Sequence, residues 1–242
     1  MDTTTNTLPS IILVPGHWLG AWAWDAVASE LRSRGHAVTA LTLPGLDPDD
    51  AERSSRTLAD QAEALREAVG AATADGSAVV LVAHSGAGAP VSLFLDQHPT
   101  AVSRIVYVDS GPSGDGSAFD ADFPADQEES ELPPFDQLAA SLDGVSEADL
   151  RRFREWAVPQ PGPVMRQAVQ LTNDARRNVP STIIACSFPS EVVMQMASSG
   201  DEMMAEVATL RDLELVDLPT GHWPMWSRPV DLAAAISTAA VR

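Results

Sequence analysis

One short stretch limits what this chain can fold into more than any other: an apolar run at 79–83 that stops at Ser85. Small residues, Ala83 and Ala87, lie two positions to either side of this serine and leave room for a strand to turn sharply into a helix. Such a turn strains the backbone of its apex residue and lifts the side chain clear of the sheet. A helix over 88–97 would aim its N-terminal amides at the serine, which favours a developing negative charge. The stretch predicts a nucleophilic serine.

The residues around Ser85 permit a second interpretation, a dinucleotide-binding turn. Gly86 and Gly88 follow a strand, and Asp109 ends the next strand about 20 residues further on, as in nucleotide-binding folds. The third glycine of that pattern is replaced by Val91, whose branched side chain obstructs close packing of helix on strand. We therefore expect neither NAD nor NADP to bind. An ordinary strand-to-helix turn without chemistry is the plain alternative.

Composition excludes several classes of function. The 242 residues, 45% of them hydrophobic, are enough for one substantial core. All 15 basic residues are arginines, which rules out Schiff-base chemistry on a lysine and a phosphate-binding P-loop. A net charge of −19 opposes binding to nucleic acid or to an anionic membrane. The expected partner is a small-molecule substrate, bound by a monomer or a homodimer.

The sequence contains no motif typical of a cofactor site, a metal site or a targeting signal. A single cysteine, Cys186, excludes an internal disulfide, and no His, Asp or Glu pair has the spacing of a metal site. The first residues, 1–7, lack the basic and apolar segments of a signal peptide, and no apolar run reaches the ~18–20 residues of a membrane span. We expect a cytoplasmic protein without cofactor or metal.

Strand and helix patterns alternate along most of the chain, which predicts a parallel sheet with right-handed crossovers. The pattern breaks at 111–179, a proline-rich stretch that is too long for a structureless loop and too poor in helix for a core of its own. We interpret 1–110 and 180–242 as one α/β core and 111–179 as an inserted cap. Strands are expected at 10–14, 36–43, 78–83, 103–109, 181–188 and 213–218, and cap helices at 135–142, 147–156 and 164–171.

A serine is a weak nucleophile until a base removes its proton, so an imidazole must come from elsewhere in the chain. Of the five histidines, His222 follows the last predicted strand on a loop made flexible by Gly221. This position selects His222 as the general base. The plain alternative for a Gly-His pair is an ordinary turn.

Three motifs together resemble the α/β-hydrolases: Pro-Gly-His-Trp-Leu-Gly-Ala-Trp-Ala-Trp at 15–24, Ala-His-Ser-Gly-Ala at 83–87 and Gly-His-Trp-Pro at 221–224. The end of the first motif is similar to the small esterase and hydroxynitrile lyase branch. The resemblance implies a mostly parallel six-stranded sheet flanked by helices, with a helical cap inserted after the fourth strand. It also implies an oxyanion hole formed by the backbone N–H groups of Gly86 and His17. Pro15 replaces the first residue of the family's His-Gly pair.

The acid that orients the histidine is where the chain departs from this family. Members usually carry it just beyond the strand that follows the cap, where the stretch 181–190 ends in a serine, next to Glu191. The two candidates are Asp109, at the end of the fourth strand, and Glu191. We favour Asp109 because its carboxylate would lie at the carboxyl edge of the sheet, beside the strand that leads to Ser85. Each also has a structural explanation, Asp109 as a turn cap and Glu191 at a helix N-terminus.

These residues lead to a hypothesis of function: a cofactor-free serine hydrolase acting on an ester or lactone of a small, fairly apolar molecule. Trp18, Trp156 and Trp223 are the expected pocket wall. Two alternatives stay open. One is a lyase or cyclase that reuses the site without an acyl-enzyme, and the other is a non-catalytic binder on a hydrolase scaffold.

Overall fold

A six-stranded, entirely parallel sheet forms the centre of the computed structural model, which describes residues 8–74 and 76–242. Its strand order is β2-β1-β3-β4-β7-β8, so the chain starts near one side of the sheet and ends at the other. The strands are β1 (Ser10–Val14), β2 (Val38–Ala40), β3 (Val79–His84), β4 (Arg104–Val108), β7 (Ser181–Ala185) and β8 (Leu213–Asp217), with β5 (Glu129–Ser130) and β6 (Gln160–Pro161) forming a separate antiparallel pair. The six-stranded sheet predicted from the resemblance is confirmed.

Helices cover both faces of the sheet. Side chains of α2, α3 and α6 pack with one set of alternate strand residues, and those of α1 and α8 pack with the other set. Strands buried on both faces are expected for a parallel sheet and explain their uninterrupted apolar runs. The helices are α1 (Asp25–Ser33), α2 (Leu58–Ala72), α3 (Gly88–Gln97), α4 (Glu147–Trp156), α5 (Gly162–Arg166), α6 (Ser190–Ser199), α7 (Pro224–Ser227) and α8 (Pro229–Ala240).

Local sequence signals explain where several elements begin and end. Strand β1 has the predicted bounds, and helix α3 begins at Gly88 as expected. Thr57 caps α2 through a capping box with Asp60, in which each side chain bonds the other residue's backbone N–H. Strand β2 is shorter than the predicted 36–43 and pairs only with β1, at the edge of the sheet.

The segment 111–179, inserted between β4 and β7, is less helical than its apolar spacing indicated. Helix α4 has the predicted bounds 147–156. The helix predicted at 135–142 is wrong, since only a short 3₁₀ turn at Ala139–Leu142 forms there. The helix predicted at 164–171 ends at Arg166. In both places the apolar side chains still pack onto buried clusters, so their spacing reported burial and not helix.

All six strands of the sheet run in the same direction, so their carboxyl ends meet at one edge. Ser85 follows β3, Asp109 follows β4, and His222 lies in the loop that follows β8. Open α/β sheets bind their ligands at this edge. In the described part of the chain, no helix combines the length and apolar character needed to cross a membrane.

Candidate active site

Ser85 lies at the sharp turn between β3 and α3, and its backbone has the positive φ of 51° expected at such an apex. A non-glycine residue in this region is strained by about 1–3 kcal/mol, so the surroundings must hold it in place. The Ser110 hydroxyl, from the loop after β4, donates a 2.6 Å hydrogen bond to the Ser85 carbonyl. The nucleophile candidate is half-buried and fixed by a neighbouring strand.

The two glycines after Ser85 permit close packing within the protein. A Cβ atom on Gly86 would lie 2.2 Å from Nε2 of His17, and one on Gly88 would lie 2.2 Å from the backbone oxygen of Gly111. Real Cβ contacts do not approach so closely. Contacts within the chain itself therefore account for both glycines without a bound dinucleotide.

His222 reaches the serine from the loop after β8. Its Nε2 lies 2.8 Å from Ser85 Oγ. The loop is fixed on both sides, because the His222 backbone N–H donates to the Ser141 carbonyl at 2.7 Å and its own carbonyl accepts from Nε2 of His84 at 2.8 Å. One of these partners belongs to the inserted segment and the other to the nucleophile strand.

Asp109 completes a continuous chain of hydrogen bonds. Its Oδ2 lies 2.5 Å from Nδ1 of His222 and also accepts from the Ser187 hydroxyl at 2.6 Å. Its Oδ1 accepts from the backbone N–H groups of Cys186 and Ser187 at 3.1 and 2.8 Å. Burial alone would raise the pKa of Asp109, but the hydrogen bonds from His222 and Ser187 outweigh it and lower the pKa to about 2. With the carboxylate ionised, Nδ1 carries the imidazole proton and Nε2 accepts from the serine.

Glu191, the other acid candidate, lies in the first turn of α6 with an exposed side chain. Its position matches the structural explanation, a carboxylate at a helix N-terminus. Ser190, at the place where the family's acid was expected, donates through its hydroxyl and its backbone N–H to Asp217, whereas Ser187 of the same stretch donates to Asp109. The sequence shows that the usual acid is missing, but it does not predict the hydrogen bond between Ser187 and Asp109, which are 78 positions apart.

Two further imidazoles lie beside the site. His17 follows β1 in a loop that passes against the nucleophile, since a Cβ on Gly16 would lie 2.8 Å from the Cβ of Ser85. Burial, together with repulsion from His222, lowers the pKa of His17 to about 4 and that of His84 to about 3. Both rings are therefore neutral at pH 7, which leaves His222 as the imidazole with a carboxylate partner.

Trp18 and Trp223 lie close to these residues. Trp18 has a positive φ of 65°, and its indole N–H donates to the Ser130 carbonyl at 2.9 Å, which ties the loop after β1 to the inserted segment. Trp223 is buried, with its ring centroid 5.0 Å from that of His222 and 5.2 Å from that of Phe153.

Trp156 lies at the end of α4 and is 48% exposed. Its ring makes an edge contact with Trp22, at 5.6 Å between centroids, and carries the guanidinium of Arg152 at 4.3 Å. It lines a cavity of about 380 Å³ between the end of α4 and the loop after β2. Among the contacts of the described residues, none joins Trp156 directly to Ser85 or His222.

Within residues 8–74 and 76–242, no group of three His, Cys, Asp or Glu side chains is arranged to hold a metal ion. Cys186 is buried, and burial raises the pKa of its thiol, as does the nearby Asp109 carboxylate. The thiol is therefore a poor nucleophile.

Fold and site together define a class of protein. Residues 11–235 match the model of the alpha/beta hydrolase family, and the chain belongs to this family. Among curated proteins it is similar to esterase PIR7B of Oryza sativa subsp. japonica, at 36% identity over 110 residues, which are 45% of this chain and 41% of the relative. It is also similar to methylesterase 7 of Arabidopsis thaliana, at 36% identity over 105 residues, 43% of this chain and 40% of the relative. These matches span less than half of each relative's length.

Solved structures share the fold along nearly the whole chain. An Arabidopsis methylesterase superposes with a TM-score of 0.75 at 18% identity, covering 96% of this chain and 99% of its own. Tomato methylketone synthase I, complexed with 2-tridecanone, gives a TM-score of 0.73 at 18% identity, covering 97% of this chain and 98% of its own. At such identities the likeness concerns the fold alone.

Proposed function

We propose that this protein is a cofactor-free serine hydrolase that cleaves an ester or lactone of a small, fairly apolar molecule. The observation that carries the proposal is the continuous hydrogen-bond chain from Ser85 Oγ to Nε2 of His222, at 2.8 Å, and from Nδ1 of His222 to Asp109, at 2.5 Å. A nucleophile, a base and an orienting carboxylate joined in this way are the parts of a catalytic triad.

In the first half of the reaction, Ser85 Oγ attacks the ester carbonyl while Nε2 of His222 takes the hydroxyl proton. The carbon–oxygen double bond opens to an oxyanion, which accepts hydrogen bonds from the backbone N–H groups of Gly86 and His17. Collapse of this intermediate expels the alcohol, which receives the proton from His222, and leaves an acyl group on Ser85. Water then attacks the acyl group by the same steps and releases the carboxylic acid.

Asp109 has two roles in this scheme. It holds the imidazole in the tautomer that leaves Nε2 free to accept a proton, and it stabilises the imidazolium that forms. The lowered pKa of about 2 keeps Asp109 ionised at every pH where an esterase is assayed. The hydrogen bonds from Cys186 and Ser187 fix the orientation of the carboxylate without a second charge.

The inserted segment 111–179 is proposed as a cap over the site, on an α/β core of residues 1–110 and 180–242. Contacts of this segment with the loop after β1 support the role, since the Val158 N–H donates to the Trp18 carbonyl at 3.0 Å and Phe119 packs on His17 with 4.3 Å between ring centroids. Trp18, Trp156 and Trp223 are the proposed apolar wall of the substrate pocket.

Methyl esters of small carboxylic acids are the first substrates to test. Several similar plant proteins are named methylesterases, among them methyl jasmonate esterase 1 of Vitis vinifera, 37% identical over 98 residues. The similarity covers less than half of each chain, so these names suggest which esters to test and do not identify the substrate.

Turnover of p-nitrophenyl esters and of a methyl ester panel tests the proposal. Ser85→Ala and His222→Ala should each lower kcat by on the order of 10⁴-fold or more, because triad members act as one unit. Ser198→Ala is the matched control, since this exposed serine of α6 bonds only the Gln195 carbonyl within the described chain and should leave kcat unchanged. Variants of Ser85 and His222 that keep near wild-type turnover would refute the triad.

A further inference from the structure

The side chain of His17 is a buried polar group that the mechanism above does not use. The residue is only 7% exposed. Within residues 8–74 and 76–242, neither ring nitrogen of His17 has a hydrogen-bond partner, whereas the similarly buried His36 bonds both the Pro9 carbonyl and the Ser237 hydroxyl. Neither nitrogen is among the fully buried side-chain atoms that lack a partner in the described chain, so both remain accessible and can bond a molecule bound in the site.

The ring lies next to the nucleophile on the side of the oxyanion hole. Nε2, Cδ2 and Cε1 of His17 lie 2.2, 2.5 and 2.6 Å from the position that a Cβ on Gly86 would take. Gly86 directly follows Ser85 and supplies one of the proposed oxyanion amides. Phe119 and Trp18 contact the ring at 4.3 and 5.8 Å between centroids, both edge-on. These contacts hold the imidazole against Gly86 and leave its nitrogens without a protein partner.

The charge state of the ring suits a donor beside His222. Burial and repulsion from His222 lower the pKa of His17 to about 4, so the ring is neutral at pH 7 and carries one N–H donor. During the reaction His222 becomes an imidazolium, and a second cation nearby would oppose that change. A neutral imidazole donates a hydrogen bond without adding charge.

We propose that the ring N–H of His17 donates a hydrogen bond to the substrate carbonyl oxygen, as a side-chain donor beside the two backbone amides of the oxyanion hole. The inference rests on the proposed hydrolase function and adds a catalytic residue to it. The bond strengthens as the oxygen gains negative charge, so it lowers the barrier to attack more than it tightens ground-state binding. No proton leaves His17 in this step.

Two substitutions separate the donor from the shape of the side chain. His17→Leu removes the N–H group and His17→Gln keeps one, while both leave the backbone N–H of residue 17 in place. We expect kcat of His17→Leu to fall by about 10²-fold, as for other oxyanion-hole donors, with KM within about threefold of wild type. His17→Gln should recover at least tenfold of that loss. If His17→Leu fails to fold, His17→Met removes the donor with a more flexible chain.

A transition-state analogue gives a readout that a merely structural role would not move. Benzyl trifluoromethyl ketone forms a tetrahedral oxyanion on an activated serine, and its affinity should fall in parallel with kcat/KM in His17→Leu. A kcat of His17→Leu within threefold of wild type, or equal losses in the Leu and Gln variants, would overturn the inference. Failure of the wild type both to turn over esters and to bind the ketone would instead refute the hydrolase function itself.

Discussion

At the scale of single residues, the position of Asp109, the proposed acid, depends on the pairing of two strands distant in sequence. Val108 of β4 pairs with Ile184 of β7, which brings Asp109 beside the backbone N–H groups of Cys186 and Ser187. The side chain of Ser187 then donates to the carboxylate that bonds His222. Residues just beyond β7, the region where the family usually has its acid, therefore bond the carboxylate of Asp109.

Exchanging each candidate acid for its amide tests the assignment. Asp109→Asn should lower kcat by roughly 10³–10⁴-fold, because an amide keeps the shape of the side chain but favours the wrong imidazole tautomer. Glu191→Gln is the matched control and should lower kcat by less than about tenfold. Steady-state rates of the two variants on one ester decide the matter. If Glu191→Gln loses most of its kcat while Asp109→Asn keeps it, Glu191 and not Asp109 is the acid.

Ser85 and His222 each stand in a local sequence motif, so the sequence alone singles them out as candidates. The sequence favours Asp109 only by its position after β4, and it gives no sign that Ser187, Ser110 and His84 bond the residues of the site. Each of these acts through a contact with a residue at least 25 positions away. Such contacts follow from strand order, which the local pattern does not contain.

At the scale of elements, the start of α3 and the loop after β4 are packed backbone to backbone. A Cβ on Gly88 would lie 2.2 Å from the Gly111 carbonyl oxygen, which cannot move as a side chain can. Ser110, the residue before Gly111, holds the strained backbone of Ser85. The backbone geometry of Ser85 therefore depends on how closely the start of α3 approaches the loop after β4.

Gly88→Ala should destabilise the fold by a few kcal/mol and abolish ester turnover, because overpacking against a rigid backbone separates the loop from the turn. Gly70→Ala is the control: this helical glycine has no atom within 4 Å of its would-be Cβ. It should stabilise the protein by about 0.5–1 kcal/mol and leave turnover unchanged. Urea unfolding measures both effects. Similar stabilities for the two variants would contradict the packing argument.

Elements of the core were predictable because buried parallel strands and amphipathic helices have distinct apolar patterns. The structure of the inserted segment was not predictable in this way, since the helix predicted at 135–142 does not form. Phe135, Leu138 and Leu142 pack against the core from a chain that is mostly turns. Apolar spacing identifies the side chains that will be buried, but a segment without regular hydrogen bonding can bury them equally well.

At the scale of the whole molecule, the buried imidazoles of His17 and His84 make stability depend on pH. Their pKa values are lowered to about 4 and about 3, while an unfolded histidine titrates near 6.5. Below pH 6.5 the unfolded chain binds protons that the folded chain does not, so the free energy of unfolding falls as pH falls toward 4. Asp109, with its pKa lowered to about 2, contributes stability that is lost only below about pH 4.

Removing one of these imidazoles should weaken the acid sensitivity. His84→Gln keeps a donor for the His222 carbonyl but does not titrate, so its free energy of unfolding should fall less steeply than that of wild type between pH 6.5 and 4. The expected difference in slope is about 1.4 kcal/mol per pH unit. Urea unfolding at half-unit steps measures it, and above pH 7.5 the two slopes should coincide. Parallel curves throughout the acid range would show that His84 is not buried in neutral form.

Mass spectrometry after treatment with a fluorophosphonate probe tests most directly whether Ser85 is an activated nucleophile. The probe should add once, within the tryptic peptide 67–104 that lies between Arg66 and Arg104, and fragmentation should place it on Ser85 and not on the three other serines of that peptide. His222→Ala should remain unlabelled under the same conditions because its serine has no base. An unlabelled wild-type protein, or an adduct on another serine, would contradict the account.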